Sequence, residues 1–239
     1  MTTTTDKKTT PTALVTGASR GFGRALATEL AGRGWRLVLD ARNEQDLHSL
    51  ARGLPNTTAV AGDVTDPMHR QALTAAIEVL GGIDLLVNNA SELGPSPLPS
   101  LGDYPLPALR AVYETNVIAP LALTQLLLPA LTAASGTIVN VSSDAAVEAY
   151  PGWGGYGSSK AALDQLGRVL AVEQPAVRVY GFDPGDMRTD MHQRAFPGED
   201  ISDRPEPETV VPALLRLLDE RPDSGRYRAQ DLAAAAVHQ

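Results

Sequence analysis

Short apolar runs recur along the chain, and each is followed by a segment whose apolar positions return every three or four residues. "TALVTG" (12–17) leads into "GFGRALATELAGRG", where Phe22, Leu26 and Leu30 keep helical spacing. "RLVLDA" (36–41) precedes a polar helix around "NEQDLHSLARGL". "TTAVAGDV" (57–64) runs into "DPMHRQALTAAIEVLGG", with Asp66 placed to cap and Pro67 at a first helical position. "IDLLVNNA" (83–90), "GTIVNVSS" (136–143) and "VRVYGFDPG" (177–185) read as strands four to six. A long helix is expected from about Pro107 to Leu131, and another opens in "GGYGSSKAALDQL" (154–166). The strand runs are nearly continuously apolar, which marks a parallel sheet covered on both faces. Right-handed crossovers then predict a doubly wound, three-layer α/β sheet of Rossmann type. One domain is expected over 12–239, after a disordered tail at 1–11; the Pro-rich stretch 91–107 reads as a surface loop.

Composition narrows the function classes. A net charge of -8 argues against a nucleic-acid surface, which needs a basic face. The chain has no cysteine, so disulfides and thiolate metal sites are excluded. His48, His69, His192 and His238 are scattered without metal-ligand spacing, so no metal is expected. No apolar run in the sequence approaches the roughly 20 residues of a membrane span. These features read as a soluble cytoplasmic protein with a small-molecule partner.

In "LVTGASRGFGRAL" glycines fall at 17, 21 and 23, between the first strand and the first helix. Gly17 suits the turn, Gly21 lets backbone approach a pyrophosphate, and Gly23 allows close helix–sheet packing. The helix N-terminus offers free N–H groups to phosphates. The spacing is GxxxGxG and not GxGxxG, and a tight turn without ligand is the competing reading. At the end of strand two stand Asp40, Ala41 and Arg42. An acidic group there selects NAD, a cation the 2′-phosphate of NADP. Arg42 together with Arg20 favours NADP; Asp40 either counts against it or neutralises an arginine.

Tyr156 and Lys160 are four apart and share a helix face. A cation beside a phenol lowers its pKa, so the tyrosine can exchange a proton with a carbonyl oxygen. Ser142 and Ser143 end strand five, where such sheets bind ligands.

In order, "TGASRGFG", "DV" (63–64), "NNA" (88–90), "TNV" (115–117), "VSS" (141–143), "YGSSK" (156–160) and "DPGDMRT" (183–189) resemble the single-domain branch of the short-chain dehydrogenase/reductase family. The resemblance implies that Tyr156 is the general acid/base and that Lys160 binds the nicotinamide ribose and lowers the tyrosine pKa. It selects Ser143 over Ser142 and gives the Asn116 backbone a water in a proton relay. Gly17, Ser19, Arg20, Gly21, Phe22 and Gly23 would form the phosphate turn. Asp63 and Val64 would meet adenine, and Asn89 and Ala90 would line the adenosine ribose. Pro184, Gly185 and Thr189 would flank the nicotinamide, with Thr189 alternatively a helix cap. The family register puts Ala41 at the NAD-selecting position and Arg42 at the NADP-selecting one.

Three departures stand out: Ser91 replaces the usual glycine, the connection before strand six is short, and the C-terminus lacks the usual closing apolar strand. A homodimer through the two long helices is therefore expected in place of a tetramer. The segment 187–205 reads as a substrate lid, with Met187, Met191, His192 and Phe196 as pocket candidates beside Leu93, Tyr150 and Trp153. The leading reading is an NADP(H)-dependent oxidoreductase interconverting a carbonyl and an alcohol. A non-catalytic NADP(H) sensor on the same fold, or an epimerase or dehydratase using the same pair, remain alternatives.

Overall fold

The computed structural model describes residues 10–237. Seven strands form one all-parallel sheet in the order β3-β2-β1-β4-β5-β6-β7. They are β1 (Thr12–Val15), β2 (Arg36–Ala41), β3 (Thr57–Ala61), β4 (Leu85–Asn88), β5 (Thr137–Val141), β6 (Arg178–Asp183) and β7 (Gly225–Arg228). The helices are α1 (Gly21–Gly32), α2 (Glu44–Arg52), α3 (Pro67–Val79), α4 (Leu106–Tyr113), α5 (Ala119–Ala133), α6 (Gly154–Glu173), α7 (Asp190–Ala195), α8 (Pro207–Glu220) and α9 (Ala229–Val237).

Strand side chains alternate between two cores, as the period of two requires. Ala13, Val15, Leu37, Leu39, Val139 and Phe182 pack on one face against α1 and α8. Leu14, Val38, Leu86, Ile138 and Val179 pack on the other against α3 and α5. Each fully buried Leu or Phe contributes roughly 1.5–3 kcal/mol relative to exposure. The strand order reverses at β1/β4, and a parallel sheet opens its ligand crevice there, at the strands' carboxyl ends.

Four expectations change. The C-terminus does supply a closing strand: β7 runs parallel to β6, pairing Gly181 with Arg226 and Phe182 with Tyr227. Its sequence, GRYR, is too short and too polar to announce itself. Residues 10 and 11 are not loose, because the Pro11 carbonyl accepts from Arg36 N–H at 2.9 Å and the Thr10 carbonyl from the Arg36 guanidinium. Residues 1–9 of the expected tail, and His238, lie outside the described residues. The long helix is interrupted by one π-turn, Glu114–Ile118, in which Ala119 N–H reaches the Glu114 carbonyl. Finally, Leu106–Ala133 as a whole is long and apolar enough to cross a membrane, although its Leu123, Leu127 and Leu131 are spent on the sheet. The segment after β6 contains a short helix, α7, with His192 and Ala195 buried.

Candidate active site

Gly17 and Gly21 adopt left-handed φ of 64° and 54°, so the chain turns sharply between β1 and α1. A Cβ on Gly23 would lie 2.4 Å from Asn89 Nδ2 and 2.6 Å from the Gly17 carbonyl oxygen. Asn89 Nδ2 itself donates to the carbonyls of Thr16 (2.8 Å) and Gly17 (3.1 Å), stapling the end of β4 to the glycine turn. Arg20 stands at the N-cap of α1 without a side-chain cap, leaving the first-turn N–H groups free to face a phosphate. Phe22 points inward and stacks on Phe182 at 5.8 Å.

A crevice of about 1010 Å³ runs along the carboxyl ends of the strands. It gathers Gly17, Ser19, Arg20, Gly21 and Phe22 with Arg42, Asp63, Val64, Asn89 and Ala90 at one end. Ser143, Tyr156, Lys160, Pro184 and Gly185 also line it, and Thr189 reaches Gly21, its Cγ2 3.4 Å from where a Gly21 Cβ would sit. Gly23 and Asn116 are not in its wall; they brace it from behind. Asn116 is fully buried at the π-turn. Its side chain accepts from Glu92 N–H (2.7 Å) and Ser91 Oγ (3.2 Å) and donates to the Glu92 carbonyl and Ser159 Oγ, both at 2.9 Å. That side chain holds the loop after β4 to α6.

Tyr156 and Lys160 project together from α6, with Lys160 Nζ 5.4 Å from the phenol ring centre. Lys160 Nζ donates to the Val141 carbonyl at 2.8 Å. The phenol does not show the lowered pKa expected from its neighbour. Burial pushes it above the ordinary value, partly opposed by hydrogen bonds with Ser91 and Ser143 and reinforced by the Asp183 and Asp144 carboxylates. Burial also acts on the lysine, bringing Lys160 down to about 8 against the pull of Asp164. Desolvation outweighs the mutual effect because both groups are enclosed. Ser143 additionally caps the short turn after β5: its Oγ accepts from Ala145 N–H and donates to Asp144 Oδ1 at 3.0 Å. Thr189 caps α7 by accepting from His192 N–H.

At the nucleotide end the two acidic possibilities separate. Asp40 does not neutralise an arginine; its Oδ1 lies 2.6 Å from His69 Nε2, and its Oδ2 accepts from Gly17 N–H. Gly62 makes room for the imidazole, since a Cβ there would sit 2.2 Å from His69 Nδ1. Arg42 is 63% exposed at the crevice mouth, 3.7 Å from Glu92 Oε2. Burial alone would raise the nearby Asp63 carboxyl, but hydrogen bonds from Thr65 and the Arg42 charge hold it below the usual range. Arg20 does not join Arg42 on one point; it pairs with Asp190 Oδ2 at 2.9 Å.

Leu93, Trp153, Met191 and Phe196 form an apolar wall beside the phenol, with Trp153 edge-on to Tyr156 at 5.8 Å. Sequence reasoning missed His69, Asp164 and Arg226, which act at separations no local motif reveals: Arg226 bonds Asp164 from 62 positions away.

Comparison with known proteins agrees with this geometry. The family model for short chain dehydrogenases matches residues 11–200. The chain is 39% identical to sepiapterin reductase of Rattus norvegicus over 199 residues, 76% of each protein. A short chain dehydrogenase structure from Pseudomonas syringae superimposes with a TM-score of 0.86 at 32% identity, covering 92% of this chain and 94% of that one. Another, from Shigella flexneri and complexed with NADP, gives 0.85 at 32% identity over 92% and 97%. The chain belongs to the short-chain dehydrogenase/reductase family, and so is an oxidoreductase that works on a small molecule with a nicotinamide cofactor.

Proposed function

We propose that this protein is an NADP(H)-dependent oxidoreductase that interconverts a ketone or aldehyde and its alcohol. The observation that carries the reading is the Tyr156/Lys160 pair, enclosed side by side at the sheet end of one crevice whose other end is the glycine turn.

The residues fit a dinucleotide. The glycine turn has backbone where a Cβ would collide, the α1 N-terminus is uncapped, and Gly185, at φ 73°, has open space where a Cβ would point. Gly17, Gly21 and the first N–H groups of α1 would hold the phosphates. Asp63 and Val64 would border adenine, while Pro184, Gly185 and Thr189 would border the nicotinamide. When bound, the cofactor supplies or accepts the hydride. Tyr156 gives its phenolic proton to the carbonyl oxygen in reduction and takes it back in oxidation. A neutral phenol, which burial favours, is the form reduction requires. Ser143 Oγ orients the reacting oxygen beside the phenol. Lys160, whose Nζ now donates to the Val141 carbonyl, would hold the ribose hydroxyls and stabilise a nearby oxyanion.

NADP is favoured over NAD because Arg42 lies exposed at the crevice mouth, while Asp40 is committed to His69. The NADP-bound Shigella structure supports the same choice. The apolar wall suits a substrate with a nonpolar body next to its carbonyl. The protein acts in the cytoplasm as a homodimer, joined through the faces that expose Ile118, Leu126, Val169 and Val172.

The test is Tyr156→Phe, assayed with a panel of ketones and aldehydes by NADPH absorbance. Cofactor binding should persist while turnover falls about 10²–10⁴-fold. Turnover within a few-fold of the unaltered protein would overturn the assignment.

A further inference from the structure

Behind the proposed catalytic pair lies a buried ionic array whose Arg226 and Asp164 stand outside the family motifs. Arg226 reaches back from β7, its side chain only 16% exposed. Its Nε donates to Asp164 Oδ2 at 3.2 Å, and its Nη2 donates to Asp183 Oδ2 at 2.8 Å and to the Ser143 carbonyl at 2.9 Å. Each partner belongs to a different part of the site. Asp164 is one helical turn beyond Lys160 on α6. Asp183 ends β6 and accepts from Gly185 N–H at 3.0 Å, so it shapes the nicotinamide-side loop. Ser143 is the serine beside the phenol. Ser142 Oγ completes the array by donating to Asp164 Oδ2 at 2.8 Å.

We propose that Arg226 is a positioning residue that fixes α6, the β6 exit and the Ser143 backbone together and cancels carboxylate charge that would otherwise fall on Lys160 and Tyr156. This rests on the catalytic reading above. Asp164 and Asp183 contribute two negative charges, and Arg226 and Lys160 two positive ones, so the buried set is balanced only with Arg226 present. Asp164 borders a second cavity of about 200 Å³ and its buried Oδ1 has no hydrogen-bond partner, so Arg226 is the main neutralising contact of that carboxylate. The other charged groups acting on the set are Arg168 on α6 and Asp144 after β5. A buried carboxylate stripped of its cation is costly and acts strongly on neighbouring titrations.

The test exploits an accident of composition: the chain has three lysines, Lys7, Lys8 and Lys160. Protein labelled with ¹³C at lysine Cε should give a distinct Lys160 titration, whose assignment Lys160→Met confirms. Without Arg226 (Arg226→Gln), the Lys160 midpoint should rise by about one pH unit, because Asp164 is uncompensated. Asp164→Asn should lower it, and Arg226→Lys should restore most of the unaltered value. With an accepted substrate, kcat in Arg226→Gln should fall about tenfold at an almost unchanged KM, from misplacement of the pair. An unmoved Lys160 midpoint in both Arg226→Gln and Asp164→Asn would overturn the proposal. Should Arg226→Gln fail to fold, Asp164→Asn decides by the same midpoint. Full turnover in Tyr156→Phe would instead defeat the catalytic reading and leave the lysine titration to be judged separately.

Discussion

Asp40 and His69 form a closed pair, carboxylate to imidazole at 2.6 Å, and that contact commits the acidic end of β2 to the protein interior. Asp40 is 1% exposed, and burial raises its pKa while His69 opposes the rise. His69→Leu therefore leaves a buried carboxylate without its cation-capable partner. The expected loss is about 3 kcal/mol at pH 7, or roughly 6–12 °C in melting temperature. Near pH 4 the loss should shrink, because a protonated carboxyl needs no counter-charge. Equal losses at both pH values in thermal melts would contradict this role.

Arg42→Ala should weaken NADPH binding about 10–100-fold and leave NADH binding within about twofold, since only one of the two ligands carries the 2′-phosphate. Fluorescence titration with both nucleotides measures it. Arg20→Ala should do less, because Arg20 is engaged with Asp190.

Gly23→Ala probes the staple behind the glycine turn. Its methyl would displace Asn89 Nδ2 and press on the Gly17 carbonyl. Overpacking of this kind costs about 1–3 kcal/mol. The expected result is a lower melting temperature together with at least tenfold weaker nucleotide binding. Weaker stability with unchanged binding would show that the turn tolerates the shift.

Lys160 gives a pH signature in stability. Its folded value, about 8, lies below the unfolded value of 10.5. Between these two pH values the unfolded chain binds more protons, so this group makes folding progressively more favourable as pH rises from about 8 towards 10.5. Below 8 the charged lysine is a burden in both ordinary and assay buffers. Lys160→Met should be more stable than the unaltered protein at pH 7, and the gap should narrow above pH 8. Urea unfolding at pH 7, 8.5 and 9.5 tests this; a constant gap would contradict it.

The strands, their direction and the crevice were legible because continuous apolar runs and ordered motifs are local signals. That Tyr156 and Lys160 share one helix face could be read from their spacing alone. Asp40 could not, since its direction depends on His69, which arrives from α3 through the gap left at Gly62. β7 escaped because an edge strand of GRYR has little apolar content, and its purpose is visible only when Arg226 meets Asp164. The Tyr156 shift was misjudged for a related reason: helical spacing gives the distance to Lys160 but not the degree of enclosure.

The π-turn at Glu114–Ile118 also sets a geometric rule for the chain length of this region. Each helical residue advances the azimuth by about 100°. Winding the same residues as regular α-helix would swing Leu123, Leu127 and Leu131 about 100° off the sheet, whereas deleting one residue between Glu114 and Ile118 would restore regular winding with that seam still in place. The bulge is thus a phase corrector: it lets one continuous rod present Asn116 to the loops at one end and an in-phase leucine seam to the strands at the other.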